Sequence, residues 1–225
     1  MKGSFRNLFA GLLIFVMSVP AGAFGLGDIA GGGDGGSDVD VGQLVSQGDG
    51  LMGRFSLAFG NMNLALANTL DALGHKDEAE QLTARGNFYI EGNIAEKDAV
   101  ERDIEVTRNA VALVEESAEG AAAVSAEGKK ALASAVPHYV KGVYEATQLL
   151  PEAQQWAESV SSGISSLSSN PMKLNELRQS TAAPIFVATN LPSFMQSFAG
   201  ATNNFVAFAR SNEVEIPDDI SNVSF

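Results

Sequence analysis

Val187, Leu191, Phe194, Phe198, Ala201, Phe205 and Phe208 follow one another in alternating steps of four and three. That spacing keeps seven apolar side chains on one side of an α-helix, which a strand with its period of two cannot do. Around them, residues 179–209 form a run of 31 positions without one charged side chain. A surface helix normally shows water a charged face. The missing charge has three explanations: burial on several sides, contact with another protein, or contact with lipid. The surface in question is Leu191, Phe194, Met195, Phe198, Phe205 and Phe208, a candidate interaction or apolar-ligand surface.

A helical period also governs the chain from Val41 onward. Leu44, Leu51, Phe55, Ala58, Met62, Ala65 and Thr69 form one stripe, and Val45, Met52, Phe59, Leu66, Leu70 and Leu73 form a second beside it. Gly74 stands where a C-terminal cap belongs, and Asp77 can cap the next helix. That second helix is expected over 77–116, thinning over 96–103, where Asp98 and Arg102 have the spacing of an i,i+4 ion pair. Residues 119–128 read as a turn. A third helix is expected over 129–150, with a kink or a restart at Pro137, and Pro151 suits the first turn of a fourth. A short piece over 172–179 precedes the charge-free helix, and residues 212–225 read as an acidic, frayed tail. Strand alternation never exceeds four residues. The expected fold is therefore all-α, an up-and-down bundle of about four to five helices occupying 41–211.

The N-terminus reads as an address. Lys2 and Arg6 precede an uncharged apolar run over 8–19, and Pro20-Ala21-Gly22-Ala23 places small residues at −3 and −1 of a cut after Ala23. Twelve apolar residues are too few for a hydrocarbon core that needs about 20. Residues 1–23 are thus expected to be a signal peptide, and the protein to be periplasmic or secreted. Residues 24–40 are rich in Gly and Asp and read as a flexible linker. The linker's Gly25-Leu26-Gly27-Asp28-Ile29-Ala30 lacks the preceding strand of a dinucleotide loop, and Asp34, Asp38 and Asp40 lack calcium-loop spacing.

Little in the chain points to catalysis. There is no cysteine, so disulfides, thiolate metal sites and cysteine nucleophiles are excluded together. The two histidines, His75 and His138, have alanine three residues before them, not the glutamate of a di-iron bundle, and are expected to serve the surface or packing. No nucleophile-elbow, Ser-x-x-Lys or HExxH pattern occurs. The acidic residues of 76–119, net −7, alternate with Lys97, Arg102 and Arg108 as a solvated face would. A net charge of −13 speaks against nucleic acid, and the −15 left once residues 1–23, with Lys2 and Arg6, are removed speaks against anionic lipid. Residues 70–79 resemble one helix hairpin of a tetratricopeptide unit, but the pattern recurs nowhere else. Asn222-Val223-Ser224 fits a glycosylation acceptor.

The reading is a non-enzymatic bundle, without cofactor or metal, that contacts another protein or a second copy of itself. A carrier of a lipid or other apolar ligand, or a membrane-active protein using 179–209, is the alternative. The intact mass of the exported protein is expected to be that of residues 24–225; a mass retaining 1–23 would reject the cleavage site.

Overall fold

The computed structural model describes residues 39–93, 96–120 and 123–220. The leader at 1–23, most of the linker, Asn222 and Phe225 lie outside the described residues. Six helices follow in order: α1 (Val41–Leu73), α2 (Lys76–Ile90), α3 (Lys97–Gly120), α4 (Ala126–Ser166), α5 (Pro171–Ser180) and α6 (Ala182–Ser211). Short 3-10 turns stand at Leu167–Ser169 and Asp218–Ile220, and no strand occurs among the described residues.

α1 occupies the middle of this arrangement, in the place that burial of the charge-free helix would have given to α6. Asp40 caps its start, its carboxylate accepting the Gln43 N–H at 3.0 Å. Gly74 ends it with φ 92°, a left-handed conformation that glycine takes without a Cβ penalty, and His75 N–H returns to the Leu70 carbonyl. Asp77 falls in the first turn of α2 rather than at its cap, which is His75. Between Phe55 and Leu70 only Leu57, Leu64 and Asn68 escape burial, because α2, α3, α4 and α6 all pack against this segment.

Small residues make that crowding possible. α1 and α4 run antiparallel, with Leu44 near Gly163, Trp156 over Gly48, Met62 near Gly142 and the Ala72 carbonyl near Gly128. The Trp156 indole N–H donates to the Leu44 carbonyl at 2.9 Å, fixing the register. α1 and α2 come closer still. A Cβ on Gly60 would lie 2.9 Å from the Gly86 carbonyl oxygen, and one on Gly86 would lie 2.9 Å from that of Gly60.

The helix expected over 77–116 is broken into α2 and α3. Gly92 takes φ 82°, and Asn93 donates from its side chain to the Phe88 carbonyl, so Gly-Asn turn chemistry overrides the helical period. The ion pair at the start of α3 forms between Lys97 and Glu101 at 3.7 Å, instead of Asp98 with Arg102. The opposite correction applies to α4. It runs 41 residues, about 60 Å, without a break at Pro137 or Pro151. Both prolines are exposed, and so are Ala133 and Thr147, the residues four positions earlier whose carbonyls a proline leaves without an N–H partner. The tail is not frayed up to residue 220. Asn212 is buried and accepts the Val124 N–H, Lys129 pairs with Glu213 at 2.8 Å, and Ile220 is buried against α4 and α6.

The glycines of α1 and α2 should divide by sign. Gly60→Ala or Gly86→Ala must force two backbones apart and is expected to cost about 1–3 kcal/mol. Gly50→Ala and Gly53→Ala, with nothing within 4 Å of the new methyl, should gain about 0.5–1 kcal/mol in chemical denaturation.

Candidate functional site

The six residues singled out on the charge-free helix lie in the interior. Leu191, Phe194, Met195, Phe198, Phe205 and Phe208 are each at most 7 % exposed. Phe194 packs its ring 5.4 Å from that of Phe59, which in turn stacks on Phe55 and meets Tyr89 edge-on. Phe198 and Phe205 hold Tyr139 between them, with ring centroids 5.6 and 4.2 Å away. In this conformation the seam that dominates the sequence is core, joining α1, α4 and α6.

The outward side of α6 is different in kind. Thr189, Ser193, Gln196, Asn203 and Ala207 are exposed, Gly200 is half-buried, and the same steps of four and three relate them. α3 runs alongside in the same direction. The Arg108 guanidinium donates to Ser193 Oγ at 3.0 Å, and Glu115 Oε1 lies 3.2 Å from where a Gly200 Cβ would stand. Hydroxyl groups on this face are satisfied locally, as Thr189 and Ser193 show by donating to the carbonyls of Ile185 and Asn190.

Polar side chains elsewhere are committed to holding helices together. Thr107 of α3 donates to the buried Asn63 of α1 at 2.9 Å, and Asn63 donates to the Phe59 carbonyl. Asp103 of α3 accepts from the Tyr89 hydroxyl at 2.8 Å and forms an ion pair with Arg85, both on α2. Arg54 bridges α1 to Glu152 and Gln148 of α4. His75 bonds Ser117 at 2.9 Å, and His138 donates from Nδ1 to Asn61 Oδ1 at 3.1 Å. Among the described residues, no buried side-chain nitrogen or oxygen lacks a partner, and no group of three or more acidic or histidine side chains is placed to hold a metal. The contacts of this three-helix polar seam span 14 to 44 residues, and no local pattern announces them.

A cleft of about 400 Å³ lies open on the outer side of the α1–α2 hairpin, between Asn68 and Asp71 on one bank and Lys76, Glu80, Thr83 and Asn87 on the other. Its walls mix both charges and it converges on no single group. Protein-family models, curated proteins and solved structures give no match to the chain.

Two phenols and one imidazole should set the pH limits of stability. Burial pushes the Tyr89 hydroxyl from 10.0 up to about 12, and burial raises Tyr139 as well. The unfolded chain therefore gives up protons near pH 10 that the folded one keeps, and stability falls as pH rises from about 10 through 12. Burial, with Lys141 nearby, lowers His138, so stability falls as pH drops below 6.5, where the unfolded chain takes up a proton the folded one resists. Denaturation across pH should show Tyr139→Phe flattening the alkaline limb, and His138→Gln the acid one.

Proposed function

We propose that the protein is an exported, non-enzymatic helical bundle that works by protein–protein contact in the periplasm or outside the cell. The observation that carries this reading is the outward face of α6. The side chains that α6 itself contributes there, from Thr189 to Ala207, are all uncharged, in a chain of net charge −13. Desolvating hydroxyl and amide groups costs far less than desolvating Lys or Glu, and interface centres are depleted of charge for that reason. The aromatic side chains of α6 support the same reading from the inside, since they hold the helix rigidly against α1 and α4 and so pre-organise the face.

Lipid contact has less support. Among the described residues no helix is long and apolar enough to cross a membrane. The test is flotation of the protein with neutral and with anionic vesicles, followed by solvent extraction and mass spectrometry. The protein is expected to stay at the bottom of the gradient and to release no apolar ligand. Flotation, or a stoichiometric lipid in the extract, would replace this reading with that of a membrane-active protein or a carrier.

A further inference from the structure

The outward face of α6 does not stand alone. Arg108 and Glu115 of α3 reach over it at Ser193 and Gly200, and both contacts keep the same offset of 85 residues between the two parallel helices. The face therefore carries one positive and one negative group seven residues apart, about 10 Å along the axis. Between them lies the uncharged Gln196.

This arrangement is its own complement. A two-fold axis through the face at Gln196, with the two α6 helices antiparallel, brings Ser193 of one copy opposite Gly200 of the other. Arg108 then meets the second copy's Glu115, and Glu115 meets its Arg108, so that two ion pairs form from one surface. Charge elsewhere pushes copies apart, since residues 76–119 hold a net −7. At physiological salt, charges more than about 8 Å apart are largely screened, so the local pattern at the contact decides. Resting on the protein-contact reading above, and deepening it by naming the partner, we infer that α6 and α3 form an isologous interface with a second copy of this chain, centred on Gln196. The strip is narrow, which places the dimer among weak, reversible associations with a dissociation constant in the micromolar range.

The test uses protein isolated from cells producing the full chain, followed by sedimentation equilibrium over a wide range of concentration. The wild type is expected to pass from monomer to dimer. Arg108→Glu places two carboxylates opposite each other twice over, Glu115→Arg does the same with cations, and Gln196→Glu puts like charges on the axis. Each should weaken association by about tenfold or more while leaving the helical circular dichroism unchanged, since Arg108 and Gln196 are exposed and Glu115 is half-buried. The decisive step is to mix the Arg108→Glu and Glu115→Arg proteins in equal amounts. Their pairing places opposite charges at both contacts, so a heterodimer should reappear where neither variant alone dimerises.

A wild type that stays monomeric throughout overturns the inference, and so does a mixture in which no heterodimer forms. Neither result touches the flotation test, so a failed dimer and a failed protein-contact reading are told apart.

Discussion

Everything in this fold depends on how closely other helices can approach α1. Its segment from Phe55 to Leu70 is enclosed on almost every side, and a helix can be so enclosed only if its neighbours come within side-chain contact from several directions at once. The glycines decide where that happens. Gly60 and Gly86 let α1 and α2 touch through their backbones, while Gly142 and Gly163 let α4 close over Met62 and Leu44. A glycine inside a helix costs about 1 kcal/mol relative to alanine, and dispersion from the closer contact offsets it. With α1 held this way, α4 supplies a continuous antiparallel brace, and α3 and α6 lie beside the pair in the direction of α1.

The polar contacts refine what the apolar ones build. Hydrophobic packing is non-directional, so helices with wide apolar faces could rotate or slide with little loss. Asn63 with Thr107, and Asp103 with Tyr89 and Arg85, accept one rotation of α1, α2 and α3 and leave buried groups unpaired in others. Trp156 does the same for α1 against α4. Buried hydrogen bonds here select among packings rather than supply the bulk of stability.

The sequence disclosed some of this and hid the rest for physical reasons. The bounds of α1 were legible because its period runs unbroken and ends at a glycine in a left-handed turn. The seam of α6 was legible for the same reason, but its partner was not. Apolar residues at helical spacing look alike whether core or interface covers them, and Phe194 and Phe198 show core only once Phe59 and Tyr139 are placed against them. The break at Gly92 was masked by apolar residues on both sides of it. Pro151 misled in the other direction, because a proline on the wet side of a long packed helix costs too little to end it. The folded-back tail depends on Asn212 meeting Val124, 88 residues away, which no window of sequence contains.

The charge-free run resolves into two causes acting on two sides of one helix. Inward, Phe and Leu exclude charge because a buried ion would need a partner the core does not offer. Outward, burial in the described structure imposes no such rule, and helices α2 and α3 use Glu and Lys freely in equivalent positions. An exposed Lys or Glu on α6 would cost the fold almost nothing. Folding alone therefore does not account for the neutrality of the outer face. Its remaining physical consequence is that another surface laid against it meets mostly hydroxyl and amide groups, with Arg108 and Glu115 of α3 as the charges reaching over it. Gln196, Thr189 and Ser193 can exchange water for a partner's hydrogen-bonding groups at little loss, whereas the exposed carboxylates of α2 cannot. The molecule is two-sided in this sense, and the neutral side is the one on which contact is least opposed.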